Sequence, residues 1–392
     1  MKYKKLIDIA SVVDSLHQTP KYSDEGIPMV RVTDVKGGRL SLKDCFKVDE
    51  QVYKKFTANH EPTCGDIVIS RVGTYGNFSF VSTDERFCLG QNTAIITPHI
   101  NPDFLYYCLI SQNVKNQIEQ KVVGSTQKTL SLKNIKELEI PDVDEKTQEK
   151  IAGTLRNLDE KIEVNSKIND NLSAQIETFL LAYLDSEDTS AVKLGDYLYI
   201  KGRIGWKGLK KSEYLPQSEY RIINGETLTQ SGIDWNKAGY ISEERYVESP
   251  EIMLKVGDIL LSKDGTIGKI GYVDSLELPT SVASGIFVIR NTKPDIISTT
   301  FIYYLLKSRL FTSFIAARTE GSVIPHLYQK DFMEFEFPLP TAEKMAEFEE
   351  VAEPMFSQIV NNLNENKRLA ILRDSLLPKL MSGELDVSDL DL

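Results

Sequence analysis

Gly65-Asp66-Ile67-Val68-Ile69-Ser70-Arg71-Val72-Gly73-Thr74-Tyr75-Gly76 returns 192 positions later as Gly257-Asp258-Ile259-Leu260-Leu261-Ser262-Lys263-Asp264-Gly265-Thr266-Ile267-Gly268. A repeat of this length decides the architecture, because each copy needs a core of its own. Working outward, Phe104-Leu105-Tyr106-Tyr107 is matched by Phe301-Ile302-Tyr303-Tyr304 at an offset of 197. The same offset pairs Gly124-Ser125 with Gly321-Ser322, Leu130 with Leu327 and Pro141 with Pro338, while Leu6 and Asp8 meet Leu194 and Asp196 at 188. The drift corresponds to a few insertions, which surface loops absorb.

Within each copy, Ile67–Ser70 and Ile259–Ser262 are short apolar runs ending in a glycine-rich turn, so they predict strand then loop. Ala94–Thr97 and Ile286–Arg290 predict further strands. Phe104–Gln120 and Phe301–Arg318 each predict one helix with an apolar face. Glu137–Ile140 and Glu334–Phe337 predict closing strands. The expectation is an α+β fold in which two repeated α/β domains, 1–142 and 191–340, are separated by helical segments at 143–190 and 341–392.

Charge supports that division. The net charge is −11 over 392 residues. Residues 1–142 hold 18 Lys+Arg against 17 Asp+Glu, and 191–340 hold 18 of each, so both are neutral. Each spacer holds 5 against 11, a net −6. An acidic mimic of DNA would need acid spread over the domains, which this distribution excludes. No apolar run approaches the roughly 20 residues of a membrane span, and the opening residues are too charged for a signal peptide, so a cytoplasmic location is expected. Cys45, Cys64, Cys88 and Cys108 have no ligand spacing and are expected to be buried reduced thiols.

After Pro141 and Pro338, Asp144 and Thr341 are N-cap residues at equivalent positions. Apolar residues then alternate at spacings of four and three: Ile151, Leu155, Leu158, Ile162, Leu172, Ile176 and Phe179, and again Phe348, Ala352, Met355, Ile359, Leu369 and Leu376. This is an a/d seam, interrupted by Asn165 and Asn169 in one copy and Asn362 and Asn366 in the other. A helix over about 148–183 would be about 54 Å long with its asparagines near the middle. Antiparallel packing would bring asparagine to asparagine, whereas an amide against leucine would cost roughly 1–3 kcal/mol. The expectation is therefore an antiparallel coiled coil that fixes register and relates the two domains by a pseudo-twofold.

Several strings imitate catalytic motifs. Asn101-Pro102-Asp103-Phe104 lacks the second proline of an adenine methyltransferase loop, and no glycine-rich cofactor loop accompanies it. The carboxylates of Pro141-Asp142-Val143-Asp144 are too close in sequence to clamp a nuclease metal. Gly124-Ser125-Thr126-Gln127-Lys128-Thr129 lacks the glycine before lysine of a P-loop. The four histidines, His17, His60, His99 and His326, show no metal-ligand spacing, so neither a metal nor a catalytic residue is assigned. Two strings remain as candidate DNA contacts, the alternative being a tight strand turn for the first and loop divergence without function for the second. Arg71, Thr74, Tyr75 and Asn77, with Lys263, Thr266 and Lys269, join a cation to a Gly-Thr-x-Gly turn whose backbone N–H groups suit phosphate. Ser125, Thr126, Gln127 and Lys128 form a polar run between helix and strand. Ser322 and His326 stand opposite in a diverged copy, as two different half-sites would require.

In the duplicated Gly-Asp-Ile-x-x-Ser-Arg/Lys-x-Gly-Thr-x-Gly blocks, the Gly-Ser turns, the helices after proline and the ending Ser375-Leu376-Leu377-Pro378-Lys379-Leu380-Met381-Ser382-Gly383-Glu384, the chain resembles the specificity subunit of type I restriction–modification enzymes over its whole length. That resemblance implies one domain per half of a bipartite asymmetric DNA site, helices as a fixed spacer, and docking of methyltransferase (modification) and restriction/translocase subunits. S-adenosylmethionine, ATP and Mg would then belong to those partners, with none in this chain. Gln91 and Asn92, with Ser284, fall where the family usually has an amide-rich turn, and the resemblance places them at the DNA. A self-contained enzyme would need the motifs missing above. The nearer alternative is the specificity subunit of a related two-component enzyme outside type I.

Overall fold

A computed structural model describes residues 2–122, 129–186, 188–204, 208–319 and 326–387. The chain divides into two units: Met1–Glu163 with Asn366–Leu392, and Val164–Glu365.

In the first unit, a four-stranded antiparallel sheet has the order Ala10–Asp14, Thr93–Pro98, Ile67–Ser70, Phe78–Phe80. A three-stranded sheet has Ile27–Val30 between Phe46–Val48, antiparallel, and Cys88–Leu89, parallel. Tyr3–Lys5 pairs antiparallel with the closing strand Glu139–Pro141. The second unit repeats the plan. Its four-stranded order is Leu198–Gly202, Ile286–Asn291, Ile259–Ser262, Ile270–Tyr272, and Tyr220–Ile223 lies between Gly239–Ile241 and Thr280–Val282. Thr189–Lys193 pairs with Glu336–Pro340. A short hairpin, Leu228–Thr229 with Gly232–Ile233, is added.

The unbroken apolar runs at Ile67 and Ile259 follow from burial on both sheet faces. Ile67, Ile69 and Ile96 pack with Phe104, Leu105 and Leu109, while Val68 and Ile95 pack with Val30, Val81 and Phe87. In the second unit, Ile259 and Leu261 join Phe301, Phe311 and Phe337, and Leu260 joins Ile223, Val282 and Val288.

Where one helix is expected per copy, two are found: Pro102–Ile110 and Gln112–Lys121, and Thr299–Lys307 and Arg309–Thr319. A serine makes each break. Ser111 (φ −65°, ψ 155°) and Ser308 (φ −66°, ψ 160°) leave helical geometry. Their hydroxyls then cap the following helix, accepting from Val114 N and Phe311 N at 3.4 Å. Asn101 likewise caps its helix, with Phe104 N to Oδ1 at 2.9 Å and Pro102 at the first position.

The long helices span Glu145–Leu184 and Ala342–Ser382. Asp144 caps the first through Thr147 N at 3.0 Å, and Thr341 caps the second through Lys344 N at 3.4 Å. In the first unit, Ile151, Ala152 and Leu155 share a core with Leu377, Leu380 and Met381, Arg373 Nη1 meets Asp159 at 2.7 Å, and Asn366 Nδ2 donates to Ile162 O at 3.4 Å. Residue numbers rise along one helix as they fall along the other, so the segments run antiparallel. In the second unit Ile176, Leu180 and Leu184 pack with Phe348, Ala352, Phe356 and Ile359 in the same sense. There Asn362 Nδ2 donates to Asn169 Oδ1 at 2.8 Å, Asn169 Nδ2 to Ile359 O at 3.4 Å and Asn165 Nδ2 to Glu365 at 2.7 Å.

The seam departs from its expected course at the far ends. Phe179 is 37% exposed and Leu376 only partly buried, whereas Leu180 and Leu377 are buried. At 3.6 residues per turn the buried face drifts past a strict heptad, to the next position along. The cysteines also differ from expectation: Cys88 and Cys108 are buried, but Cys45 is half-buried and Cys64, in the turn before Gly65, is exposed. Among the described residues, no helix is long and apolar enough to cross a membrane.

Candidate nucleic-acid interface

Each unit gathers three separate loops at one end of its four-stranded sheet, and the glycine-rich turn is their centre. The turn is built by the serine before the cation. Ser70 Oγ donates to Thr74 O and accepts from Asn77 N at 3.1 Å. Ser262 Oγ donates to Thr266 O at 2.7 Å and accepts from Lys269 N at 2.8 Å. Main-chain bonds Gly76 N to Ser70 O (2.8 Å) and Gly268 N to Ser262 O (3.1 Å) close the same rings. Gly73 (φ 74°) and Gly76 (φ 75°), like Gly265 (φ 66°) and Gly268 (φ 89°), occupy the left-handed region where a side chain is strained. Thr74 and Thr266 are exposed at the tips.

The loop before the sheet's second strand docks through the residue after that serine. Arg71 N donates to Asn92 O at 2.8 Å, and Lys263 N to Gly285 O at 2.9 Å. This places Gln91 and Asn92, and Ser284, beside the turn, all half-buried. Asn92 has a positive φ of 64°, which asparagine tolerates. The third segment arrives after the helix pair. Leu130 N donates to Arg71 O and Leu327 N to Lys263 O, both at 2.9 Å, with bridges Val72–Thr129 and Asp264–His326. Ser125, Thr126, Gln127, Lys128 and Ser322 lie outside the described residues; the segments carrying them end at these bridges.

The two cations sit differently. Arg71 is 9% exposed. Its Nη1 is bound to Asp14 and its Nε to Leu130 O at 3.2 Å, so it ties all the loops to the first strand. At the equivalent strand end, Gly202 replaces Asp14. Lys263 Nζ turns instead to Asp264 at 3.1 Å, and His326 Nδ1 shares that carboxylate. Tyr75 is half-buried with its hydroxyl on Glu119 Oε1 at 2.9 Å. Asn77 and Lys269 reach a fourth segment that the sequence did not suggest: Asn77 Nδ2 donates to Val35 O at 3.2 Å and Lys269 Nζ to Gly225 O at 3.0 Å. Ser70, Ser262 and Asp14 were also missed. The serines carried a signal, since they recur at the same place in both copies. Asp14 carried none, because its partner lies 57 residues away.

One arginine stands apart. Arg203 is 3% exposed, with Nε on Val282 O at 3.1 Å and Nη2 on Ser281 Oγ at 3.2 Å, while Nη1 has no partner among the described residues. Desolvation, reinforced by nearby Arg245, pulls its pKa below the usual arginine range. Among the described residues no cluster of three or more His, Cys, Asp or Glu is arranged to hold a metal ion.

A pair of sheets, a helix pair and three loops gathered on a glycine-rich turn, all given twice with long helices following, define a duplicated recognition module. The family model for the type I restriction modification DNA specificity domain matches residues 1–174 and again 187–371. The chain belongs to that family. It is 24% identical over 308 residues to the type I restriction enzyme MjaIX specificity subunit of Methanocaldococcus jannaschii, covering 74% of this chain and 70% of that one. It is 22% identical over 402 residues to the HindI specificity subunit of Haemophilus influenzae, covering 82% and 86%. The crystal structure of a type I restriction–modification system S subunit from M. genitalium matches in fold, with a TM-score of 0.56 at 20% identity over 97% of this chain and 96% of that one.

Proposed function

We propose that this chain is the DNA sequence-specificity subunit of a type I restriction–modification complex. Each unit reads one half of a bipartite, asymmetric site through its loop cluster, and the long helices serve as the spacer. Methyltransferase subunits dock on it, and restriction/translocase subunits join them. Catalysis, with S-adenosylmethionine, ATP and Mg, belongs to those partners in the cytoplasm.

The observation that carries this reading is the pairing of like scaffold with unlike tips. The serine-locked turn and its main-chain bonds recur in both units, while the side chains they display differ: Tyr75 and Asn77 against Ile267 and Lys269, Gln91 and Asn92 against Ser284, Thr129 against His326. Main chain and phosphate contacts position a protein on the duplex, and side chains at base edges supply the sequence. Two such clusters with different tips suit two different half-sites.

Methylome sequencing of a host expressing this chain with its methyltransferase tests the reading. The expected result is adenine methylation at one asymmetric motif interrupted by unspecified bases. Exchanging residues 191–340 for those of another family member should change one half of the motif and leave the other. A change in both halves, or in neither, would refute one domain per half-site.

A further inference from the structure

We infer that Lys36 and Lys115 are the phosphate contacts of the first unit, a role that the sequence places on Arg71. This rests on the DNA-recognition reading above and extends it to residues that the two copies do not share. Arg71 is buried and bound on two sides, so its charge is spent inside the protein.

A groove of about 720 Å³ opens beside the turn, at Gly76 and Asn77. Lys36, Arg39, Lys115 and Arg373 line it against Asp103, Asp159 and Glu163, four cations to three acids. Two of the acids are answered by arginine. Asp103 meets Arg156 at 3.0 Å and Arg39 at 3.8 Å, and Asp159 meets Arg373 at 2.7 Å and accepts from Tyr107 Oη at 2.8 Å. Lys36 and Lys115 are both exposed, and neither ammonium has a hydrogen-bond or ion-pair partner among the described residues. They are the cations left over.

Both are held at the turn by fixed structure. Asn77 Nδ2 grips Val35 O, Gly37 N donates to Ser79 Oγ at 3.2 Å and Phe80 N to Gly38 O at 2.9 Å, so the Lys36 loop is stitched to the strand leaving the turn. Lys115 rides on the helix Gln112–Lys121, whose Glu119 holds Tyr75 and whose Ile118 packs against Gly76. Both lysines therefore line the groove where it meets the turn at Gly76 and Asn77. The second unit has neither lysine. Thr312 stands at the position of Lys115, and Gly225-Glu226-Thr227-Leu228-Thr229-Gln230-Ser231-Gly232 carries no cation; Lys269 supplies the charge there instead, since Lys263 is paired with Asp264 and its side chain is only 13% exposed. The two units would thus grip phosphate with different residues around equivalent turns.

The test is the salt dependence of binding by the assembled specificity–methyltransferase complex to a duplex carrying its methylome-defined site. Each lost lysine–phosphate contact lowers the slope of log K against log salt by about 0.9. K36Q/K115Q is expected to lower it by about two, with the sequence preference kept and thermal unfolding unchanged. T312K is expected to raise the slope by about one. Specific binding with an unchanged slope in K36Q/K115Q would overturn the lysine assignment and leave the recognition reading standing. A wild-type complex with no preference for its site would overturn both.

Discussion

The hydroxyls of Ser70 and Ser262 each bridge two backbone groups of a turn that holds glycine at positive φ, so they preset the loop that Thr74 or Thr266 crowns. Alanine there would leave the N–H of Asn77 or Lys269 short of an acceptor, at a cost of about 1–3 kcal/mol. Arg71 is anchored one residue further on. Removing the acid by Asp14→Asn strands a guanidinium in a nearly closed site. Breaking a fully buried pair costs about 3–5 kcal/mol, and since Asp14 keeps about a quarter of its side chain exposed, about 2–3 kcal/mol is expected from denaturant melts. Lys263→Ala should cost under about 1 kcal/mol, because the Asp264 carboxylate it pairs with is 38% exposed. Equal losses in the two variants would show that burial does not separate them. This difference was not legible in the sequence, where Arg71 and Lys263 occupy the same place in a repeat. What separates them is Asp14 against Gly202, a substitution on a strand far away in the chain.

Among the elements, the long helices were the most legible and the short ones the least. A 3–4 spacing sustained over many turns with an acidic surface leaves little choice of structure. The broken helices were misjudged because Ser111 and Ser308 sit among helix formers, and a single cap can end one helix and begin the next without disturbing the apolar face. The seam asparagines illustrate what pairing does. Asn169 receives the amide of Asn362 and donates its own to Ile359 O, and both residues are buried. The equivalent donation, Asn366 to Ile162 O, recurs in the other unit. Asn169→Leu alone should cost about 1–3 kcal/mol, since it leaves the Asn362 amide without that partner. The double change with Asn362→Leu should recover part of that loss, giving a coupling of about 0.5–3 kcal/mol in a double-mutant cycle. Additive losses would mean that the amides act independently.

The whole molecule differs from a simple succession of domains in one respect. The first unit includes both ends of the chain, Met1–Glu163 and Asn366–Leu392. Its core contains Leu377, Leu380 and Met381, and Cys108 Sγ lies 3.3 Å from Met381 Sδ. A repeat read linearly assigns each helix to the domain before it, and antiparallel contact then lends half of each to the other. Ending the chain at Glu365 should therefore unprotect amides in residues 1–163 while those in 164–365 keep their hydrogen-exchange protection. Equal loss in both, or in neither, would contradict this division.

The interleaving also sets an order of events during synthesis. The second unit is continuous, and all of its residues have been made when the ribosome passes Glu365. The first unit must wait for the final turns of the last helix. At about 5–20 residues per second, the intervening 202 residues take on the order of 10–40 s. For that interval the surfaces of Ile151 and Leu155 lack their partners, so the half of the protein made first is the half finished last.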